Sequence, residues 1–61
     1  MGIGDLIRNT RPSLGIPKGT VGLIINKKYG ADSGYYIYEI QWLGARLSYS
    51  RRLERDLELF E

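Results

Sequence analysis

Apolar and polar residues alternate along much of this chain, with the two-residue period of a β-strand. The pattern is strongest over residues 35–42, which read Y-Y-I-Y-E-I-Q-W. Alternation and turn residues together predict five strands, at residues 4–8, 20–29, 35–42, 46–50 and 56–60. Prolines and glycines make residues 10–19 a long irregular loop, and residues 50–55 have room for one helical turn. The pattern therefore predicts a single all-β domain over residues 1–61.

The hairpin between the second and third predicted strands sets which side chains face the core. A turn centred on Asp32 pairs Tyr29 with Tyr35 and Ile24 with Ile40. Successive side chains of a strand point to opposite faces, so the even positions of the third strand share the face of Ile40. That face is expected to be the core.

The predicted core and the face opposite to it follow from this register. A bulge at Gly22 would let Val21 and Ile24 both point inward although they are three residues apart. The predicted core consists of Ile7, Val21, Ile24, Ile40, Leu47, Leu53, Leu57 and Leu59, with Tyr38 and Trp42 as half-buried walls. The opposite side of the hairpin over residues 20–42, here called the outer face, keeps four more apolar residues: Leu23, Ile25, Tyr35 and Ile37. Clustered exposed apolar side chains mark interaction surfaces, so the outer face is a candidate site for a protein partner or for self-association.

The composition argues against several kinds of site. The 61 residues include no Cys and no His, so disulfides, the usual zinc ligands and the commonest catalytic base are all missing. We therefore expect a non-enzymatic protein without a metal or cofactor. Neither a signal-peptide pattern nor an apolar run of bilayer length is visible, so a cytoplasmic protein without a membrane partner is expected.

Four short motifs occur in an order and spacing typical of a known fold family. They are Gly4-Asp5-x-Ile7, Gly19-x-Val21-Gly22-x-Ile24, Tyr38-x-Ile40-x-Trp42-x-Gly44 and Asp56-Leu57-Glu58-Leu59. Together they resemble the SH3-like small β-barrels, above all the KOW- and Tudor-like group and small SH3-like proteins of bacteriophages and bacteria. The resemblance implies a five-stranded SH3-like barrel with a short 3₁₀ turn before the last strand. It implies a fold more than a function, because this fold hosts many functions.

The charges of the chain are distributed unevenly. Residues 1–53 carry eight Lys or Arg and three acids, a net of +5 (8 − 3), whereas residues 54–61 carry one Arg and four acids, a net of −3 (1 − 4). In the resembled fold the first long loop lies near the turn before the last strand. That would gather a basic rim, with Tyr49 or Tyr36 as a stacking partner, and its candidate residues are Arg11, Lys18, Arg46, Tyr49, Arg51 and Arg52. Cations for phosphates and aromatic faces for bases are the requirements of nucleic-acid binding.

Three functional interpretations remain open at this point. The leading one is binding of nucleic acid or a ribonucleoprotein by the basic rim, and its alternative is protein interaction or homo-oligomerisation through the outer face. A plainer alternative is that the arginines balance the acids near the end of the chain, in surface pairs worth about 0–1 kcal/mol. The Tudor-like resemblance also suggests an aromatic cage for a methylated cation. We do not expect such a cage, because alternation sends Tyr35 and Tyr36 to opposite faces.

Overall fold

A computed structural model describes residues 1–12, 15–44 and 49–60 of the chain. Its strands are β1 (Leu6–Asn9), β2 (Val21–Gly30), β3 (Tyr35–Trp42), β4 (Tyr49–Leu53) and β5 (Leu57–Leu59), with a 3₁₀ turn at Glu54–Asp56. The strands form one antiparallel sheet in the order β4-β3-β2-β1-β5. The predicted all-β class, the five strands and the short 3₁₀ turn before the last strand are thereby confirmed.

The fourth strand ends later than predicted, and the turn after it begins later. β4 continues to Leu53, so the helical turn starts at Glu54 rather than at residue 50. The reason is a long-range pairing, because Leu53 finds a partner in Ile37 near the far end of β3. Residues 45–48, which include the start of the predicted strand, lie outside the described residues.

The core is formed by seven apolar side chains that are each at most 6% exposed: Ile7, Ile16, Ile24, Tyr38, Ile40, Trp42 and Leu57. Tyr38 and Trp42 are fully buried rather than half-buried, at 1% and 2% exposure. Three predicted core residues are wrong: Val21 and Leu53 are only half-buried, and Leu59 on the short edge strand β5 is exposed. Leu47 lies outside the described residues. Ile16 is a core residue that alternation did not reveal, because it belongs to the loop.

The first loop contributes Ile16 to the core because hydrogen bonds from Asn9 hold the loop in place. Asn9 is 1% exposed, and its side-chain Nδ2 lies 3.3 Å from the carbonyl oxygen of Ile16 and 3.4 Å from that of Pro17. Its backbone N–H donates to Thr20, and its carbonyl accepts from Gly19, at 2.9 Å and 2.8 Å. Buried polar groups need such partners, so one asparagine at the end of β1 brings the loop back over the sheet.

The hairpin register differs from the prediction in its distal half. Up to Ile24 the pairing of β2 with β3 is the predicted one, but a bulge then leaves Ile25 without a partner in the ladder. Beyond the bulge each β2 residue pairs with the β3 residue one position later than predicted, so Tyr29 lies opposite Tyr36 rather than Tyr35. The predicted bulge position was therefore wrong by three residues.

Gly22 has a packing role instead of a bulge role. It pairs in register with both Ile7 and Trp42, so the ladders on its two sides are regular there. A Cβ atom at Gly22 would lie 2.5 Å from Cγ2 of Ile40 and 2.8 Å from Cε3 of Trp42. Glycine is needed at this position because two core side chains pack directly onto its backbone.

Candidate functional site

A shallow, largely open pocket of about 490 Å³ lies where the first loop meets the end of β4 and the 3₁₀ turn. We call it the arginine pocket, and its lining residues are Arg11, Pro12, Ile37, Arg51, Arg52, Leu53 and Asp56. Three of these residues are arginines and one is an acid, so the formal charge of the lining is +2 (3 − 1). Ile37 and Leu53, which are paired across β3 and β4, supply apolar surface between the charges.

Arg11 reaches this pocket because the start of the loop is tied to the 3₁₀ turn. The backbone N–H of Thr10 donates to the carbonyl of Asp56 at 2.9 Å. Arg11 Nε lies 3.3 Å from Asp56 Oδ1, yet no described group donates a well-directed hydrogen bond to that oxygen. The Arg11 side chain is 71% exposed, and a guanidinium carries five N–H donors. Arg11 therefore keeps the capacity to bind an added anion.

Arg51 and Arg52 are contributed by β4, an edge strand of the described sheet. Arg51 is exposed, whereas Arg52 is half-buried, with its guanidinium carbon 5.7 Å from the centroid of the Trp42 ring. Arg52 Nη1 also donates to the carbonyl of Arg51 at 2.7 Å. Consecutive strand residues point to opposite faces. Both nevertheless border the pocket.

The structure brings together half of the basic rim expected from the sequence. Arg11, Arg51 and Arg52 border one pocket, although forty residues separate the first two along the chain. Lys18 is exposed in the first loop and is not part of the pocket lining. Tyr49 also lies apart from the lining, two residues before Arg51 on β4. Arg46 lies outside the described residues.

Two acids near the end of the chain contact arginines in its first part. Glu58 lies 3.0 Å from Nε of Arg8, and Asp56 contacts Arg11. Asp56 belongs to the 3₁₀ turn rather than to the predicted strand over residues 56–60, and its side chain is only 17% exposed. The signal for its role is its place at the end of a single helical turn, where its carbonyl can accept from the loop.

A second and smaller pocket of about 280 Å³ adjoins the arginine pocket. We call it the tyrosine pocket, and its lining residues are Gly34, Tyr35, Tyr36, Leu53, Glu54 and Arg55. Leu53 borders both pockets, so the two pockets share this residue as part of their walls. Tyr35 and Tyr36 border the same pocket although they alternate along β3, because the pocket lies at the end of the strand beside the turn. Sequence reasoning did not find this site, since Leu53 was assigned to the core.

Tyr36 is held in place by neighbours on β2. The Tyr29 ring meets it edge to face, with centroids 5.1 Å apart, and Lys27 Nζ lies 4.4 Å from its centroid. The same ammonium lies 5.8 Å from the centroid of Tyr38 and donates to the carbonyl of Met1 at 3.2 Å. The displaced register creates this cluster, because it places Lys27 opposite Tyr38. The ammonium of Lys27 thus already lies against the rings of Tyr36 and Tyr38.

Three side chains of β3 and β4 have shifted pKa values. Burial raises the pKa of Tyr38, and the charge of the neighbouring Glu54 raises it further. A hydrogen bond from the Tyr49 hydroxyl holds the pKa of Glu39 below its ordinary value of 4.5. The same bond raises the pKa of Tyr49. At neutral pH both tyrosines are therefore neutral, and the carboxylate of Glu39 is engaged by Tyr49.

The four residues of the outer face occupy different surroundings. Ile25 and Tyr35 are 39% and 57% exposed, whereas Leu23 and Ile37 are half-buried. Ile37 borders the arginine pocket and Tyr35 borders the tyrosine pocket. Half of the proposed protein-interaction surface thus belongs to the two pockets.

Comparison with protein-family models, with curated proteins and with solved structures gave no match. In the part of the chain that the structure describes, no helix is long and apolar enough to span a membrane. Residues 1–12, 15–44 and 49–60 also contain no group of three or more acidic side chains placed to hold a metal ion. The two pockets are therefore the features from which a function can be inferred.

Proposed function

We propose that this chain is a non-enzymatic binding module of the SH3-like small-barrel type and that it binds nucleic acid, alone or within a ribonucleoprotein, at the arginine pocket. Support for the fold assignment comes from the five antiparallel strands, the long loop after β1 and the 3₁₀ turn before β5. Support for the function comes from the convergence of Arg11, Arg51 and Arg52 on one pocket.

Phosphate is the ligand group that this convergence fits best. Guanidinium groups present a planar fork of donors that matches phosphate oxygens, often in bidentate pairs. Three arginines and one acid line the pocket, and the carboxylate of that acid, Asp56, lies 3.3 Å from Nε of Arg11. The excess of positive charge is local, since it comes from the lining and not from the chain's overall +2. The phosphates of a nucleic acid would supply the negative charge that balances this lining.

The test is the salt dependence of binding to a labelled oligonucleotide. Three phosphate contacts to a single strand give a slope of log K against log salt of about −2, from about −0.7 per contact. We expect fluorescence anisotropy of a fluorescein-labelled single-stranded DNA of about 12 nucleotides to show that slope between about 50 and about 200 mM salt. Arg51→Ala should make the slope shallower by about 0.7.

Lys18→Ala is the matched control, because it removes one exposed positive charge outside the pocket. We expect it to leave the slope nearly unchanged. An equal effect of the two substitutions would show that overall charge, and not the pocket, governs binding. Absence of binding at the lowest salt concentration would end the nucleic-acid proposal.

A protein-interaction module is the second candidate, and the exposure of Ile25 supports it. Ile25 occupies the bulge of β2 and is 39% exposed, and it belongs with the exposed Tyr35 to the outer face. If copies of the chain associate through this surface, sedimentation equilibrium should give a mass above 7.0 kDa. Ile25→Asp should then return it to the monomer value. A monomer at the highest accessible concentration would rule self-association out.

A further inference from the structure

The two pockets share one lining residue, Leu53, and differ in character, since one lining is charged and the other aromatic. We call the surface that passes over Leu53 from the arginine pocket to the tyrosine pocket the groove. On β3, Ile37 borders the first pocket and Tyr35 the second. Two residues of a strand span about 7 Å, which is a distance that adjacent groups of a nucleotide can bridge.

We propose that the ligand of this groove is a single-stranded nucleic acid, with a phosphate at the arginine pocket and an unpaired base stacked against Tyr36 at the tyrosine pocket. This inference rests on the proposed function and adds the strandedness of the ligand. A positively charged groove combined with an aromatic stacking surface is the arrangement that single strands require. A duplex hides its base faces in the stack and would leave the tyrosine pocket empty.

Tyr36 has the surroundings of a stacking platform. It is 43% exposed, so part of its ring is open to a ligand, and it borders the pocket directly. The edge contact with Tyr29 and the ammonium of Lys27 hold the ring before any ligand arrives. A side chain that is already ordered loses little conformational entropy on binding. A base that stacks on Tyr36 should therefore contribute close to the full affinity gain of one stacked base.

The charges of the tyrosine pocket separate a base from a phosphate. Glu54 and Arg55 give this lining no net charge (1 − 1), in contrast to the +2 of the arginine pocket. The carboxylate of Glu54 disfavours a phosphate at this end of the groove. It can instead accept a hydrogen bond from an exocyclic amine of a base, as acidic side chains do with cytosine. The charges of the groove thus favour one orientation of a nucleotide, with its phosphate at the arginine pocket and its base at the tyrosine pocket.

The test compares three probes of equal length: a single-stranded DNA, the same strand with abasic sites throughout, and the corresponding duplex. The abasic strand keeps the phosphates and lacks the bases. We expect the base-bearing strand to bind about 5- to 150-fold more tightly than the abasic strand, the range expected for one stacked base. It should also bind more tightly than the duplex at the same salt concentration.

Two tyrosine variants assign the stacking surface. Tyr36→Ala should remove the advantage of the base-bearing strand without changing the salt slope, and Tyr36→Phe should preserve it. Tyr49→Ala is the control, because Tyr49 is an exposed tyrosine of β4 that borders neither pocket. Circular dichroism of each variant would verify folding. If Tyr36→Ala weakens the abasic and base-bearing strands equally, its role is structural and the inference is overturned.

The outcomes separate this inference from the proposal on which it rests. Equal affinity for the base-bearing and abasic strands, or tighter binding of the duplex, would overturn the single-strand inference. The arginine-pocket proposal would survive either result if binding stayed dependent on salt and on Arg51. Failure of all three probes to bind would refute both.

Discussion

Replacing Gly22 by alanine should destabilise the protein, although the same change in most strands is stabilising. Glycine in a strand interior costs roughly 0.5–1 kcal/mol relative to alanine, because the unfolded chain loses more freedom on folding. Gly22 is among the glycines of this chain without a positive φ, so backbone strain does not require glycine here. The sign of the effect therefore depends on packing alone.

The packing cost follows from two distances. The added Cβ would lie 2.5 Å from Cγ2 of Ile40 and 2.8 Å from Cε3 of Trp42, whereas carbon atoms in contact prefer about 3.5–4.0 Å. Both neighbours are at most 2% exposed, so neither side chain can move towards solvent without repacking the core. Overpacking of this kind costs about 1–3 kcal/mol. After the entropic gain is subtracted, we expect a net loss of about 1–2 kcal/mol.

Urea unfolding followed by the fluorescence of Trp42, the single tryptophan of the chain, would measure this loss. For a domain of this size the melting temperature should fall by about 5–15 °C. Gly2→Ala is the matched control, because nothing lies within 4 Å of a Cβ at Gly2. It should change stability by less than about 0.5 kcal/mol. A Gly22→Ala variant as stable as the parent would show that the approach of Ile40 and Trp42 to the β2 backbone is not as close as described.

Three further substitutions test side-chain hydrogen bonds. Asn9→Ala should cost about 1–3 kcal/mol in urea unfolding, because two loop carbonyls lose their buried donor; an unchanged midpoint would contradict the anchoring role. Ser50→Ala should cost a similar amount, because Trp42 Nε1 lies 2.5 Å from the serine hydroxyl and would lose its acceptor, and an unshifted tryptophan emission would argue against that bond. Tyr49→Phe should raise the pKa of Glu39 towards 4.5 in an NMR titration, whereas a value that stays low would mean that other groups cause the shift. Because the folded pKa of Glu39 is lowered, its contribution to stability is present above pH 4.5 and disappears as the pH falls through the folded value; Tyr49→Phe should weaken that dependence.

The candidate site was only partly predictable from the sequence. The basic rim named Arg11, Arg51 and Arg52, and these three arginines do converge on one pocket. Their convergence was expected from the resemblance to a fold, because no local pattern places residue 11 beside residue 51. The tyrosine pocket was not anticipated. It depends on Leu53 lying at the junction of two pockets, and burial of a single leucine cannot be read from alternation.

The division between sequence and tertiary structure has a simple physical basis. The sequence alone determined the all-β class, the number of strands and the single helical turn. These features follow from alternation and turn residues, which act over a few neighbouring positions. The bulge at Ile25, the burial of Ile16 and the glycine requirement at position 22 were decided only by tertiary structure. Each of them depends on a contact between segments far apart in the chain. The same holds for the two pockets, whose walls exist only after β3, β4 and the first loop have come together.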